Sequence, residues 1–242
     1  MVQIPRPESR RSTSIDAMIK PDVIPVQTGI QSLPSRERSY DCRGIMPFKK
    51  KDKKTESPKA AGIHSKLEQY GLKIATISDN AAWVKATARE IDLDKELHLA
   101  RDLDRIMQYF RGLYRFVGVS SNNIYWNLTP TPIRQILIPT TERKYISIIN
   151  PEILKLEGQE NRYVEACGSV PNKVYIVRRK PYVLISGYTL EKQNIELEYG
   201  SKDYYSGEDP IYSSYSNPEW VIQHEMDHLD GITIQDKGAA LI

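Results

Sequence analysis

The residues Gln223-His224-Glu225-Met226-Asp227-His228-Leu229 decide how the last part of this chain folds and which chemistry it can support. Signals for both ends of a helix flank them. Asn217 is a good N-cap, Pro218 suits the first helical position, and Gly231 follows the last apolar residue as a stop. We therefore predict a three-turn helix from residue 218 to about residue 229.

This helix places two histidines one turn apart on the same face. Because His224 and His228 are spaced i, i+4, their imidazoles can share one metal ion. Glu225 lies about 100° round the helix from His224, so it can face a water molecule and act as a general base. The alternative is that both histidines are ordinary core or surface residues. The chain has only four His, and two of them stand here, which favours the metal site.

A third metal ligand has to come from elsewhere in the chain. After Gly231 there is no His or Glu, and Asp236 is the sole acidic candidate. Upstream, Cys167 stands just before a β-like segment, where a strand could present its thiolate. A lone cysteine is otherwise a small buried apolar residue, although the neighbours of Cys167 are polar or very small.

The segments upstream of the helix predict an α+β fold. Apolar residues recur at helical spacing from Leu99 to Tyr114, which indicates a helix with one buried face. Five short β-like segments follow, at Ile133–Ile138, Tyr145–Ile149, Val174–Val177, Tyr182–Ser186 and Ile195–Tyr199. No helix-length pattern separates most of these segments. We therefore expect antiparallel sheets arranged around the metal-binding helix.

Charge and composition divide the chain into two parts. Residues 1–60 hold 13 Lys and Arg against 7 Asp and Glu, whereas the remaining residues hold 21 against 24. The first part is rich in Pro, Ser and Lys and has few large apolar residues, so burial cannot offset its ordering entropy. We predict a disordered basic tail over residues 1–62 and one folded domain over residues 63–242.

Composition also excludes several classes of protein. No apolar run reaches the ~18–20 residues of a membrane span, and the N-terminal residues lack the apolar core of a secretory signal. The slightly acidic folded part argues against a broad DNA-binding face. Cys42 and Cys167 lie in unrelated contexts, which argues against a disulfide. We expect a cytoplasmic protein with neither DNA nor a membrane as partner.

Two motifs of this chain resemble those of the peptide deformylase family. The family's Q-H-E-x-D-H-L-x-G motif is matched at every fixed position by residues 223–231. Its E-G-C-L-S motif, followed by an apolar residue and Pro, is matched over residues 165–171, except that Ala166 replaces Gly and Gly168 replaces Leu. The family's V-x-R-x-x-x-V-x-I pattern is met over residues 177–185.

This resemblance extends from about Leu72 to the end of the chain and implies both a fold and a reaction. The fold would be deformylase-like, and the reaction would remove the formyl group from N-formyl-methionine of newly made polypeptides. Cys167, His224 and His228 would bind one divalent metal ion, Fe(2+) first, with Zn(2+), Ni(2+) or Co(2+) as substitutes. Glu225 would be the catalytic acid and base.

The same resemblance assigns supporting residues and partners. The Gly168 N–H and Asn123 would hold the oxyanion, and Glu165, Arg179 and Asp227 would orient the metal ligands. The substrate pocket would comprise Val117, Gly118, Tyr163, Trp220 and Val221. The partners would be N-formyl-methionyl nascent peptides, with transient ribosome association.

The family's first motif is altered in this chain. Where the family has G-x-G-[IL]-[SA]-A-x-Q, this sequence has Phe116 at the first Gly and Asn123 at the Gln. The family's Gln donates to the formyl oxygen, and Asn is one methylene shorter, so the resemblance implies weakened turnover. A Tyr- and Ser-rich insertion from Lys202 to Tyr215 also separates the Cys and His motifs.

Three other functions stay open at this point. A catalytically impaired homologue that still binds metal would follow from the altered first motif. A metalloprotease would use the same His-Glu-x-x-His helix, but it would lack a downstream His or Glu ligand. An interaction protein working through the Lys-rich tail would leave the Cys, His and Glu residues without a role.

Overall fold

The structure is a computed structural model that describes residues 71–140, 142, 144–212 and 218–241. The predicted tail over residues 1–62 and the predicted N-cap Asn217 lie outside these described residues. The described part contains two main sheets, a long helix and the helix with the two histidines, together with a small antiparallel pair of β1 (Lys73–Ile74) and β3 (Ile124–Tyr125).

The larger sheet contains four of the five predicted β segments. Its strands are β2 (Val119–Ser120), β4 (Gln135–Pro139), β5 (Tyr145–Glu157), β8 (Tyr182–Tyr188) and β9 (Asn194–Gly200). Their order is β2-β4-β5-β8-β9, and all neighbours are antiparallel, as the sequence predicts. Buried and half-buried residues alternate along β8, so one face of this sheet packs on the core.

The smaller sheet carries the cysteine motif. Its strands are β6 (Asn161–Cys167), β7 (Val170–Arg179), β10 (Ile211–Tyr212) and β11 (Ala239–Ala240), in the order β10-β6-β7-β11. β6 and β7 form an antiparallel hairpin, whereas β10 runs parallel to β6. β6 and β10 are not among the predicted segments, and their pairing adds a parallel edge to sheets that are otherwise antiparallel, as expected. The chain reaches β10 only after β7, β8 and β9, so no direct turn forces it to run antiparallel to β6.

The helices of the described residues are α1 (Ala81–Val84), α2 (Leu97–Tyr114), α3 (Pro218–Leu229) and α4 (Ile234–Lys237). Two of these four, α2 and α3, follow the periodicity and the end signals of the sequence, whereas the sequence analysis does not predict the short α1 and α4. α2 begins two residues before its predicted start, and α3 has the predicted bounds. Gly231 follows α3 with a φ of 74°, a conformation that favours glycine. No helix in the described residues has the length and apolar character needed to cross a membrane.

α3 contacts both sheets, and nearly all of its residues are buried. On one side, Ile222, Met226 and Leu229 pack against apolar side chains of β4, β5 and β8. Burial of each such side chain contributes about 1.5–3 kcal/mol of hydrophobic stabilisation. On the other side, Trp220 packs against Tyr163 of β6. Because both sheets hold α3, its polar side chains are fixed in position.

Candidate metal centre

Three potential metal ligands converge where β6 meets α3. Cys167 is the last residue of β6, and His224 and His228 stand one turn apart on α3. Sγ of Cys167 lies 3.1 Å from Nε2 of His228, and the two imidazole centroids are 4.9 Å apart. One ligand atom from each residue lies within 4.8 Å of the others, and all three residues are buried. A thiolate and two imidazoles at this spacing suit one divalent metal ion.

The match between strand spacing and helix spacing produces this convergence. Alternate residues of β6 meet successive turns of α3: Tyr163 meets Trp220, Glu165 meets His224, and Cys167 meets His228. Two residues of a strand rise about 6.6 Å, and four residues of a helix rise about 6 Å. The two elements therefore stay in step over three contacts.

Glu165 fixes the orientation of His224. Its fully buried carboxylate accepts a hydrogen bond of 2.9 Å from Nδ1 of His224. Arg179 donates to the same carboxylate through Nε at 2.8 Å and Nη2 at 2.9 Å. Burial alone would raise the pKa of Glu165, but Arg179 and His224 outweigh it and hold that pKa at about 2. Because Nδ1 is occupied, Nε2 is the nitrogen of His224 that is available to a metal ion.

Further polar contacts anchor α3 around the ligands. Arg179 also donates through Nη1 to Asp227, which pairs in addition with Lys237 of α4. Gln223 ties the helix to the turn between β7 and β8. Its Oε1 accepts from the Lys180 N–H at 3.1 Å, and its Nε2 donates to the Lys180 carbonyl at 2.8 Å. These contacts explain why polar residues stand at otherwise buried positions of the motif.

The charge state of the donors fits a metal ion. Burial would raise the pKa of the Cys167 thiol, but the two imidazoles outweigh it and hold that pKa well below its usual range. Burial would lower the pKa of His224, whereas hydrogen bonds with Cys167 and Glu165 raise it well above its usual range. Thiolate and neutral imidazole are the forms of these side chains that bind metals, so a bound cation would take the place of the imidazole proton and supply the positive charge beside the thiolate.

Glu225 stands beside the ligands with one oxygen free. The side chain is buried, and Oε2 has no hydrogen-bond partner in the part of the chain that the structure describes. Burial raises the pKa of Glu225 above its ordinary value, although the two histidines oppose the shift. Gly118 makes room for the carboxylate, since a Cβ at position 118 would lie 2.7 Å from Oε1 of Glu225. A carboxylate with a free oxygen and a raised pKa suits a group that accepts and returns a proton.

Asn123 lies near the metal ligands, and both the oxygen and the nitrogen of its carboxamide are hydrogen-bonded to neighbouring serines. It closes the short 3-10 turn Ser121–Asn123, and its Oδ1 accepts hydrogen bonds from the Ser120 N–H at 2.8 Å and the Ser120 hydroxyl at 2.9 Å. Nδ2 donates to Oγ of Ser169 at 3.0 Å. Only the second hydrogen of Nδ2 is therefore left for any other acceptor.

A cavity of about 190 Å³ opens onto these residues. Seven predicted site residues outside the metal ligands line it: Val117, Gly118, Asn123, Gly168, Trp220, Val221 and Glu225. Tyr163 does not line the cavity; it lies fully buried behind Trp220, with ring centroids 6.4 Å apart.

One wall of the cavity consists of residues outside the predicted substrate pocket. Tyr114, Arg115 and Phe116 form it at the end of α2. In the sequence, Tyr114 looks like the last apolar position of the buried stripe of α2. The unusual Phe116 in the first motif is the one feature that points to this wall.

The described part of the Tyr- and Ser-rich insertion lies outside the cavity. Among its described residues, 202–212, none lines the cavity, and Ile211 packs against the cluster of Tyr163, Trp220 and Val221.

Relatives of this chain share its fold. A crystal structure of class I type b peptide deformylase from Acinetobacter baumannii with Met-Ala-Ser bound has a TM-score of 0.54 and 20% sequence identity. The match covers 68% of this chain and 96% of that one. The peptide deformylase structure from Thermotoga maritima gives a TM-score of 0.53 and 21% identity, covering 69% of this chain and 97% of that one.

Sequence comparison identifies the family. A curated peptide deformylase of Dictyoglomus turgidum is 28% identical over 166 residues, which are 69% of this chain and 92% of that protein. The peptide deformylase of Syntrophomonas wolfei is 37% identical over 106 residues, which are 44% of this chain and 59% of that protein. The family model described as Polypeptide deformylase matches residues 72–241, and the chain therefore belongs to the polypeptide deformylase family.

Proposed function

We propose that this protein removes the formyl group from N-formyl-methionine at the start of newly made polypeptides. The observation that carries this proposal is the convergence of Cys167, His224 and His228 beside the free carboxylate of Glu225, at the end of a cavity. Membership of the polypeptide deformylase family supports the same reaction.

The family is metal-dependent, and we assign its ion to Cys167, His224 and His228. Sγ and the two Nε2 atoms are the donors, because Nδ1 of His224 is occupied by Glu165 and Nε2 of His228 faces Cys167. We propose Fe(2+) as the native ion. Softness of the thiolate and imidazole donors also admits Zn(2+), Ni(2+) and Co(2+).

The residues around the ligands have different roles in the proposed hydrolysis. When bound, the metal ion acidifies a water molecule and polarises the formyl carbonyl. Glu225 takes a proton from the attacking water and passes it to the nitrogen of the leaving amine. The Gly168 N–H donates to the developing oxyanion, with Nδ2 of Asn123 as a second donor.

The cavity supplies the binding surface for the methionine side chain. Val117, Trp220 and Val221 give it an apolar wall, and Gly118 lets this wall approach Glu225 closely. Tyr163 contributes to this surface indirectly, because its ring packs against that of Trp220. Placing the methionine here would present its formyl group to the metal ligands.

The remaining assignments concern the rest of the chain. We place a disordered basic tail at residues 1–62 and the catalytic domain at residues 63–242, and we place the reaction in the cytoplasm, where nascent chains arise. Clustered lysines of the tail suit transient contact with ribosomal RNA through its phosphates.

One observation favours a second candidate, an impaired metal-binding homologue. Among the described residues, the Asn123 carboxamide is hydrogen-bonded to Ser120 and Ser169 and retains one N–H for another acceptor. A metalloprotease is not supported. Asp236, the acidic residue after α3, caps Thr233 and pairs with Lys85 instead of joining the metal ligands.

Hydrolysis of formyl-Met-Ala-Ser by anaerobically prepared protein, paired with metal analysis, tests the proposal. We expect one metal ion per chain and measurable release of formate. Glu225→Gln removes the proton carrier while preserving the shape of the side chain. It should therefore retain the metal and lower turnover by at least about 10²-fold. Full activity of Glu225→Gln, or wild-type protein with metal but no hydrolysis, would contradict the proposed reaction.

A further inference from the structure

Phe116 occupies a position on the cavity wall that belongs to glycine in the family's motif. Its ring lies directly against Gly168, because a Cβ at position 168 would fall 2.7 Å from Cζ and 3.1 Å from Cε1 of Phe116. Gly168 is not among the residues with positive φ, so backbone conformation does not demand a glycine there. The ring therefore fills the space that a side chain at position 168 would occupy.

A stack of aromatic rings holds Phe116 in place. Its ring centroid is 5.4 Å from that of Tyr114, with 14° between the planes. The Tyr114 ring stacks in turn on Phe110, at 6.0 Å and 7°. Phe110 is buried in the core, so the stack is anchored at one end and reaches the cavity at the other. Arg115, with a left-handed φ of 56°, ends α2 between the two outer rings.

Val117, the next residue, faces a different wall. It packs with Tyr163, Trp220 and Val221, the cluster to which we assign the methionine side chain. Successive side chains of an extended peptide point to opposite sides. A peptide whose methionine contacts the Val117 wall would therefore direct its next side chain toward the Phe116 wall.

We infer that Phe116 is a specificity-determining residue that favours an apolar side chain immediately after the formyl-methionine. This inference rests on the proposed function. The flat ring beside Gly168 offers apolar surface that a leucine side chain can cover and a serine side chain cannot. Because the ring is fixed by stacking, the contact costs little ordering on binding.

Two substrates and two variants test the inference. We expect wild-type kcat/KM to be about tenfold higher for formyl-Met-Leu-Ser than for formyl-Met-Ser-Ser, the discrimination typical of a modest apolar contact. In Phe116→Ala the ratio should fall to about twofold or less, since most of the apolar surface is lost. Tyr205→Ala is the matched control, because Tyr205 is an exposed ring outside the cavity. It should keep the wild-type ratio.

A binding measurement separates this inference from the proposed reaction. Calorimetry with the unformylated peptides Met-Leu-Ser and Met-Ser-Ser, on metal-loaded protein, should show the same preference in Kd and the same loss in Phe116→Ala. Absence of deformylation with this binding preference present would overturn the proposed function and support the role of Phe116. Deformylation with equal ratios in wild type and Phe116→Ala would overturn the role of Phe116 alone.

The contact between Phe116 and Gly168 allows a rescue experiment. Gly168→Ala retains the backbone N–H but places a methyl group against the ring, so we expect lower kcat/KM on both peptides. The double variant Phe116→Ala/Gly168→Ala should recover to the level of Phe116→Ala, because the obstructing ring is gone. Any partial unfolding caused by Phe116→Ala affects the double variant equally. Failure to recover would therefore mean that the ring does not define this wall, and it would overturn the inference.

Discussion

The buried carboxylate of Glu165 links the metal ligand His224 to a wider set of polar contacts. Glu165 accepts hydrogen bonds from His224 and Arg179, and Arg179 continues to Asp227 on the helix that carries both histidines. Replacing the carboxylate by an amide would leave the Arg179 charge poorly paired and free the His224 ring to rotate. The orientation of a metal ligand thus depends on a residue that does not touch the metal.

We expect Glu165→Gln to weaken metal binding about 10–100-fold, the usual effect of losing such a support. Competition with a chelator measures the affinity, and circular dichroism checks the fold. Glu160→Gln is the matched control, because Glu160 is exposed and its carboxylate is weakly paired, with Oε1 4.0 Å from Nζ of Lys180. Equal metal affinity in the two variants would show that Glu165 does not orient His224.

Asn123→Gln tests whether the short side chain at this position limits turnover. The additional methylene extends the amide toward the cavity, so we expect faster turnover of formyl-Met-Ala-Ser with unchanged metal content. The longer side chain cannot keep both contacts with Ser120, so stability should fall by about 1 kcal/mol. Steady-state kinetics and thermal unfolding measure the two effects. Unchanged turnover would indicate that the backbone around Ser120 already compensates.

Residue patterns predict part of this site and miss another part. Spacing on a helix indicates His224, His228 and Glu225, because a helix fixes which side chains share a face. The wall formed by Tyr114 and Phe116 could not be found in this way. Tyr114 stacks on Phe116, and Phe116 lies against Gly168 through the packing of the end of α2 beside the β6–β7 hairpin, which residue spacing does not encode. The position of Tyr163 behind Trp220 likewise depends on tertiary packing.

The two long helices are easier to predict from the sequence than the smaller sheet. α2 and α3 carry regular apolar spacing or clear end signals, and both lie within two residues of their predicted bounds. β6 has no simple alternation of apolar and polar residues. Its buried positions include Glu165 and Cys167, which belong to the metal centre and interrupt the alternation of apolar and polar residues that is typical of a strand. A strand whose buried positions are occupied by residues of a metal centre therefore lacks the apolar alternation from which strands are predicted.

Metal removal should loosen the connection between β6 and α3, since the ligands come from both elements. An ion held at 1,000 times its Kd stabilises the folded state by about 4 kcal/mol. We therefore expect a chelator to lower the Tm of the wild-type protein markedly and reversibly. In Cys167→Ala, a variant that lacks one ligand, Tm should be low from the start and insensitive to the chelator. A wild-type Tm unaffected by chelation would contradict a metal link between the two elements.

The family match and the charge pattern divide the full chain in nearly the same place. The match begins at residue 72, and the excess of basic over acidic residues is confined to residues 1–60. Among the described residues, the ligands, Glu225 and the residues that line the cavity come from residues 114–228. The described residues therefore supply every group to which we assign a role in the proposed chemistry.

We expect a shortened protein that begins at residue 63 to keep the Tm of the full chain and its kcat/KM on formyl-Met-Ala-Ser. The reason is that the omitted residues contain few large apolar side chains and cannot add much buried surface to the domain. Ribosome association is the property that should differ. Cosedimentation of the full chain should weaken steeply with added salt, because lysine contacts with phosphates release counterions. The shortened protein should not sediment with ribosomes at any salt concentration. A large fall in Tm or in small-peptide activity would show instead that the basic segment docks on the domain.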